Sequence, residues 1–313
     1  MNISLEILYN LTSIFYKGKI VIEKINEKQN ILNDNIGFVE NWDFSRANLN
    51  EENRILAITQ VASICYQNPK ALGSESLYNR LMAESQGLPS SSFEFVPVLF
   101  NYSWITKYFF DMSDVILEDS NTLKYGEVIN VDNVNYLLTN YRALVYDVEN
   151  VGLNSDILKH FNTEKECEII KQHFKVFLFK VDLPTRSQMV RHRVSWQELS
   201  RRYVSGERVP FEFYVSEKMK GIISTTADDE SDIHLDTNDI INICLNHYKE
   251  ALSQGVKPQE ARRIIPQAAY TQIWGAFMPK QLDNYFKLRL DKHAQWEIQM
   301  VSKAMQELIN GRK

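Results

Sequence analysis

Glycine is scarce in this sequence and is never clustered. The 313 residues include 11 glycines, and the closest two, Gly73 and Gly87, stand 14 positions apart. The glycine-rich phosphate-binding loops GxGxxG and GxxxxGK[ST] are therefore absent from the sequence. If a nucleotide binds, side chains must hold its phosphates, and arginine is the residue whose guanidinium group forms paired hydrogen bonds with a phosphate.

Cysteines and long apolar runs are also rare. The three cysteines, Cys65, Cys167 and Cys244, are an odd number, lie far apart and form no CxxC, which excludes a disulfide framework or a cysteine zinc site and predicts buried thiols. No stretch approaches the ~18–20 apolar residues that span a bilayer. We therefore expect no membrane association.

The first residues, MNISLEILYNLTSIFYKGK, lack the basic start of a signal peptide. Leu5, Leu8, Leu11 and Phe15 stand at helical spacing, which predicts a folded amphipathic helix and a cytoplasmic protein. With 44% hydrophobic and 24% charged residues, the chain has the composition of a soluble globular protein, which excludes disorder, collagen and coiled coil.

Apolar periodicity predicts the main elements. Helices are expected over 54–66, 134–148, 184–193, 236–254 and 294–308, and the run VFLFKV at 176–181 predicts a strand. Strands that alternate with long helices favour an α+β or α/β fold.

Arginine is concentrated in one segment. Residues 186–203, RSQMVRHRVSWQELSRRY, contain five arginines, one glutamate and no lysine, a local charge of +4 in a chain of net charge -5. A solvated basic face would mix in acids and favour lysine, so we predict an anionic ligand. Arg191, His192 and Arg193 point roughly 100° apart at a helix end, and would reach two ligands or two subunits.

Three further features leave alternatives open. Glu198 is interpreted equally well as a simple ion pair with Arg201 or Arg202. A second cationic group follows at Arg262, Arg263, Arg289, Lys292 and His293, interleaved with aromatic residues that either form core or stack on a planar ligand: Tyr270, Trp274, Phe277, Tyr285, Phe286 and Trp296. No HExxH, GxSxG or metal-spaced His/Asp cluster is present, so we predict no metal and interpret DDESD at 228–232 as a solvated loop.

The arginine segment resembles a known family. RHRVSWQELSRRY at 191–203 is similar to the motif of the flavin-dependent thymidylate synthases, which reads RHR, seven residues, then serine in a run ending Ser-x-Arg-Tyr. ARRIIP at 261–266 and NYFKLRLDKHAQWEIQ at 284–299 resemble later segments of that family in the same order. SSFEF at 91–95 and VASICY at 61–66 are weaker matches.

The resemblance implies an α+β fold with a mixed sheet flanked by long helices. It also implies a homotetramer with active sites between subunits, which uses FAD, methylene-tetrahydrofolate and NADPH to convert dUMP to dTMP. We expect a helical extension over 1–52 and the family domain over 53–313, with an insertion at about 101–172. No nucleic-acid partner is expected, because the net charge is acidic.

Site residues follow from the matched motifs alone. Those implied to bind dUMP are Gln188, Arg191, Glu198, Ser200, Arg202, Arg262 and Arg289. Those implied to contact flavin are Ser91, Glu94, His192, Arg193, Gln197 and Asn284. Of the first set, Arg191, Ser200 and Arg289 are the implied catalytic residues, which orient the nucleotide rather than react with it.

The sequence departs from the family pattern in places. Only six residues separate Arg193 from Ser200, Phe95 stands where the family has histidine, and Met278-Pro279-Lys280 replaces a flavin-contacting Asn-x-Arg. Asn140-Tyr141-Arg142 has that lost form and is interpreted either as a substitute contact or as a plain helix segment.

Two other functions are open. A close variant acts on another pyrimidine nucleotide or transfers a hydroxymethyl group. A different class is a catalytically silent nucleotide- or RNA-binding protein that keeps the arginine pocket, although basic runs outside the pocket are absent. No cysteine stands beside the arginine motif, which suits a flavin-supplied hydride better than a thiolate nucleophile.

Overall fold

The computed structural model describes residues 13–16, 19–24, 30–32, 36–68, 71–83, 88–111, 119–227 and 232–310. The described strands are β1 (Ser13–Tyr16), β2 (Lys19–Lys24), β3 (Asn30–Ile31), β4 (Phe38–Asp43), β5 (Pro97–Asn101), β6 (Glu127–Val131), β7 (Val134–Asn140), β8 (Lys175–Asp182), β9 (Ser195–Glu198), β10 (Ile223–Ala227), β11 (Asp232–Asp236) and β12 (Tyr270–Phe277).

The described α-helices are α1 (Glu51–Tyr66), α2 (Glu75–Met82), α3 (Tyr102–Asp111), α4 (Asn121–Lys124), α5 (Tyr141–Asn150), α6 (Glu164–His173), α7 (Leu183–Met189), α8 (Thr237–Ser253), α9 (Pro258–Ala261), α10 (Pro279–Arg289) and α11 (Trp296–Asn310). Short 3-10 turns cover Ser91–Phe95, Ser155–Lys159 and Arg262–Ile264. Within the described part of the chain, no helix combines the length and apolar character that crossing a membrane requires.

One large sheet organises the chain. Its strands run in the order β1-β2-β4-β8-β12-β9, with β3 paired to β4, while β5-β7-β6 form a smaller sheet and β10-β11 a hairpin. The α+β class with long flanking helices is confirmed. Each pairing among the described strands is antiparallel, so the sheet is not the mixed sheet that the resemblance implies.

The large sheet has a buried cluster on each side because successive side chains of a strand alternate. Val176, Leu178 and Trp274 belong to the cluster that includes α1 and α5, which we call the α1 face. Phe177 and Phe179 belong to the cluster that includes α10 and α11, which we call the α11 face. A ligand beside this sheet therefore meets one of two distinct environments.

Local signals place most helices where the sequence predicts them. The Asn50 side chain accepts a hydrogen bond from the backbone N–H of Asn53 at 2.8 Å and so caps α1. Asp182 caps α7 in the same way, with proline in the first turn. α8 stops before Gly255, whose φ of 85° suits glycine.

Two predicted helices are wrong in part. The segment 134–148 begins as strand β7, because it pairs with both β5 and β6 through a tight turn at Asp132 and Asn133, and becomes helical only from Tyr141. Over the first residues, 13–16 and 19–24 are strands that pair with each other, and β4 joins central β8. The extension is therefore not helical there, because sheet pairing overrides helical spacing.

Some predictions fall outside the described residues. Leu5, Leu8 and Leu11 do so, as do positions 228–231 of the acidic run, whereas Asp232 begins β11. Cys167 is fully buried as predicted, but Cys65 and Cys244 are only half-buried.

The aromatic residues of the C-terminal region are mostly core. Trp274, Phe277 and Tyr285 are almost wholly buried, and Phe277 packs edge-on against Tyr285 with ring centroids 5.4 Å apart. Trp296 is the exception, with 43% of its surface exposed. These rings support the sheet rather than form an open stacking wall.

Candidate functional site

The arginine motif forms the edge of the large sheet. β9 pairs with β12 so that Gln197 lies opposite Trp274 and Glu198 lies opposite Ile273. Alternation therefore turns Ser195 and Gln197 toward the α1 face, and Glu198 toward the α11 face. One strand of four residues thus presents polar groups to both environments.

On the α1 face, the side chain of Gln197 is hydrogen-bonded to both Ser91 and Cys65. The Gln197 amide donates to Sγ of Cys65 at 2.8 Å, and the Ser91 hydroxyl donates to Oε1 of Gln197. The Cys65 thiol donates to the carbonyl oxygen of Glu198 at 3.0 Å. Two residues implied to contact flavin, Ser91 and Gln197, are thus brought together. Cys65, which lies in the weakly matching segment VASICY at 61–66, joins them.

A cavity of about 440 Å³ opens beside this set. Its walls are formed by Leu88, Pro89, Glu94, Asn121, Tyr125, Asn140, Arg142, Ala143, Tyr146, Phe174, Arg193, Val194, Ser195, Ala276, Met278 and Gln281. Glu94 and Arg193, both implied to contact flavin, are among these lining residues. The volume falls in the ~300–1,000 Å³ range of small-molecule sites.

Arg142 enters the same cavity from the segment expected to be an insertion. It forms an ion pair with Glu94 and donates from Nε to the carbonyl oxygen of Pro89 at 2.8 Å. Asn140 also lines the cavity, and its side chain caps helix α5 by accepting from the N–H of Ala143 at 3.0 Å. The segment is thus the start of a helix, and its role as a substitute flavin contact stays a prediction.

Phe95 stands where the family has histidine, and the structure places it in the core. Phe95 is fully buried and packs against Phe44, with ring centroids 6.4 Å apart. Its side chain is therefore core and does not face the cavity. Met278, in contrast, is one of the cavity-lining residues.

On the α11 face, Arg289 holds a buried histidine. Its Nε donates to Nε2 of His192 at 2.7 Å, and its Nη2 donates to the carbonyl oxygen of Gln188 at 2.8 Å. Burial, and then the Arg289 charge, lower the pKa of His192 to about 4. At neutral pH His192 is an uncharged acceptor that positions the guanidinium group of Arg289.

Glu198 is a half-buried carboxylate on this face. Its Oε1 accepts from Nε of Arg186 at 3.0 Å and from the Thr271 hydroxyl at 2.9 Å. Burial raises its pKa, opposed by Arg186 and more weakly by Arg262. Its ion-pair partner is therefore Arg186, whereas Arg201 donates to the carbonyl oxygens of Val209 and Pro210.

The sequence indicates Arg186 only as one of the five arginines of the basic segment 186–203. Its carboxylate partner is twelve positions away, and α7 packs against β8 and β12. Helical spacing alone would not find this pair.

Most of the remaining implied residues lie at the surface. Arg191, Arg202, Arg262 and Asn284 are exposed. Arg202 donates to Gln259 at 3.3 Å, while the charge of Arg191 lowers the pKa of Arg289 as a secondary effect after burial. The backbone N–H of Ser200 donates to the carbonyl oxygen of Cys65 at 3.3 Å. Among the described residues, no His, Cys, Asp and Glu group is arranged for a metal ion.

The fold and this edge strand define an α+β protein with arginine-rich surfaces on both sides of one sheet. Residues 133–312, more than half of the sequence, match the thymidylate synthase complementing protein family. The chain belongs to this family.

Individual proteins named flavin-dependent thymidylate synthase are also similar to this chain. The chain is 33% identical over 138 residues to the flavin-dependent thymidylate synthase of Thermosipho africanus, covering 40% of this chain and 58% of that protein. The enzyme of the same name from Pyrococcus furiosus is 32% identical over 146 residues, covering 45% of this chain and 56% of that protein. These matches thus span less than two thirds of the relatives' own lengths.

A solved structure is also similar. The UMP/dUMP methylase PolB from Streptomyces cacaoi, bound with 5-Br UMP, is 22% identical and covers 42% of this chain and 66% of that chain, with a TM-score of 0.34. The family match, rather than this likeness, carries the assignment.

Proposed function

We propose that this chain is a flavin-dependent methylase of a pyrimidine nucleotide, with dUMP as the first candidate substrate. Methylene-tetrahydrofolate would donate the carbon and NADPH would be the reductant, giving dTMP. The observation that supports this most is the geometry of β9. Its α1 face borders a cavity whose lining includes Glu94 and Arg193, two of the residues implied to contact flavin. The α11 face of the sheet carries Glu198 and Arg289, which are implied to bind dUMP, together with His192, which is implied to contact flavin.

The α11 face suits an anionic nucleotide. Arg289 is oriented by His192 and by the carbonyl oxygen of Gln188, so little side-chain freedom is lost when a phosphate or uracil oxygen is bound. Arg191 is exposed beside it and adds a second cation. Glu198, held by Arg186 and Thr271, is an acceptor for a ring N–H. These groups would orient the pyrimidine rather than react with it.

The α1 face suits part of a flavin nucleotide. Its cavity combines apolar walls with two guanidinium groups, from Arg142 and Arg193, which is the donor chemistry that phosphates require. Flavin, when bound and reduced, supplies the hydride. The chain's own contribution is to hold the ring system near β9 and to exclude water through the buried cluster behind Trp274.

A second copy of the chain would complete the site. α8 buries only Ile241 and Tyr248 fully, and leaves Ile240 and Ile243 exposed by 41% and 52%. The exposed positions of Arg202 and Arg262 are then explained if these residues face a neighbouring subunit. We therefore include the homotetramer in the proposal, and light scattering of the purified protein tests it.

The decisive experiment combines cofactor uptake with turnover. Purified protein is incubated with FAD, and turnover is followed as tritium release from C5 of dUMP, UMP or dCMP in the presence of methylene-tetrahydrofolate and NADPH. We expect flavin binding and turnover of dUMP, with loss of turnover in R289A and normal turnover in R46Q, which removes a distant surface ion pair.

Each other result has a definite meaning. Turnover of UMP or dCMP alone would replace thymidylate synthesis by a related methylation. A protein that binds nucleotide but stays colourless with FAD would refute the flavin mechanism and favour the silent binding protein.

A further inference from the structure

The cavity on the α1 face is positive in an acidic protein. Among its lining residues, the charged side chains are Arg142, Arg193 and Glu94, which leaves one net positive charge in a chain of net charge -5. The other polar lining groups are neutral amides, hydroxyls and phenols, such as Asn121 and Gln281. A concave site with excess positive charge favours an anionic ligand.

The guanidinium group of Arg142 is oriented but not saturated. Nη1 is paired with Glu94 and Nε is hydrogen-bonded to the carbonyl oxygen of Pro89. A guanidinium group has five N–H donors, and Nη2 of Arg142 donates to none of the described residues. Glu94 and Pro89 therefore fix the group while its Nη2 stays available.

Arg193 supplies the second cation. Its side chain is exposed and has no hydrogen-bond or ion-pair partner within the described ranges. Its backbone is fixed, however, because its carbonyl oxygen accepts from Nε2 of Gln281 at 3.1 Å. Two guanidinium groups from opposite parts of the sequence thus line one cavity, and only Arg142 has a counter-ion there.

We propose that Arg142, which lies outside the arginine segment 186–203, acts together with Arg193 to bind the diphosphate group of a dinucleotide in this cavity. The identification of that dinucleotide as FAD rests on the proposed function. Nη2 of Arg142, left free by Glu94 and Pro89, donates to one phosphate in a charge-assisted hydrogen bond. The apolar part of the wall, with Ala276 and Met278, packs against the uncharged remainder of the ligand.

The test measures binding, independently of turnover. Affinities for FAD, ADP and riboflavin are measured by calorimetry on wild type, R142Q and R142K. R46Q is the matched control, because Arg46 also forms an ion pair with a glutamate and its side chain is 37% exposed against 36% for Arg142. Circular dichroism of each variant verifies that it is folded.

We expect R142Q to weaken FAD and ADP binding by about 10- to 100-fold, since a hydrogen bond to a charged group contributes about 1.5–3 kcal/mol. Riboflavin, which has no phosphate, should bind R142Q and wild type alike. R142K should fall between them, because it keeps the charge but loses the planar fork. R46Q should match wild type for all three ligands.

Four results overturn parts of this picture. Equal FAD affinity in R142Q and wild type refutes the inference but leaves the proposed function intact if dUMP is still converted. An equal loss of riboflavin binding shows that Arg142 only shapes the cavity. Binding of ADP that depends on Arg142 without any flavin binding supports the diphosphate site and refutes the flavin assignment. No binding of any ligand to wild type refutes both.

Discussion

The two faces of β9 hold their polar groups in different ways. On the α1 face, Ser91, Gln197 and Cys65 are hydrogen-bonded to one another beside a preformed cavity. On the α11 face, burial acts on ionisable groups, raising the pKa of Glu198 and lowering that of His192. The charged groups of the α11 face are therefore paired with partners of the same chain. The cavity of the α1 face, in contrast, is lined by Arg193, whose side chain has no hydrogen-bond or ion-pair partner among the described residues.

The largest expected effect on stability comes from adding a side chain at Gly275, which lies on the tightly packed α11 face. A Cβ atom at Gly275 would lie 2.6 Å from the Trp196 ring and 3.1 Å from Phe277. We expect G275V to lower the free energy of unfolding by about 2–3 kcal/mol, since overpacking forces strained rotamers or backbone shifts. Urea denaturation measures the change.

Ala276, the next residue of β12, is the matching position on the α1 face, and its substitution is compared with G275V. Ala276 lines the cavity, so the two extra methyl groups of A276V have room, and we expect a cost below about 1 kcal/mol. G221A is the control for glycine replacement, because a Cβ at Gly221 meets no atom within 4 Å. Equal losses in G275V and A276V would contradict the difference in packing between the faces.

The next largest expected effect is the dependence of folding stability on pH. His192 has a folded-state pKa of about 4 against an ordinary value of 6.5, caused first by burial and then by Arg289. Between those values the unfolded chain binds a proton that the folded chain excludes, so stability should fall as pH is lowered from about 6.5 and level off below about 4. The loss should be about 1–3 kcal/mol.

H192Q tests this assignment, because glutamine offers an acceptor to Arg289 but does not titrate. The variant should lose the slope between pH 6.5 and 4 in denaturation experiments. Glu198 acts in the opposite sense, since a raised carboxyl pKa favours the folded state on acidification. H247Q, which replaces an exposed histidine on α8, should keep the wild-type profile. An unchanged slope in H192Q would mean that other groups cause it.

A smaller effect is expected from the hydrogen-bonded set of the α1 face. Q197A removes the amide that links Ser91 to Cys65, and should cost about 1 kcal/mol because all three groups are only half-buried. It should also speed the reaction of Cys65 with a thiol reagent, measured in a C244S background.

S91A is the matched variant for this test. It removes the hydroxyl that donates to Gln197 but leaves the amide on the Cys65 sulfur. Its Cys65 should therefore react at the wild-type rate. If S91A and Q197A speed the reaction equally, the amide does not protect the thiol.

The sequence predicted features that local signals specify. Helix α1, strand β8 and helix α11 lie where apolar periodicity puts them. β7 was predicted as a helix, because its residues suit either structure and only pairing with β5 and β6 decides.

The candidate site was also predictable only in part: motifs indicated single residues but not the distant residues that they contact. Motif resemblance indicated Ser91 and Gln197, which do meet, but their partner Cys65 lies far away in the sequence. Arg142 is brought to Glu94 by the packing of α5 against the 3-10 turn at 91–95. Such contacts depend on how distant elements pack, which single-residue patterns do not encode.

The smallest effect on stability should come from the exposed arginines. Arg262 is exposed, and its influence on Glu198 is only a minor contribution to the pKa of that carboxyl, so R262A should change the free energy of unfolding by less than about 0.5 kcal/mol. If a neighbouring subunit brings this group to the nucleotide, dUMP affinity should nevertheless fall about tenfold or more. R263A is the matched control, because the adjacent arginine is also exposed and pairs only with Glu260 among the described residues. Equal dUMP affinity in R262A, R263A and wild type would remove Arg262 from the site and leave the α11 face complete within one chain.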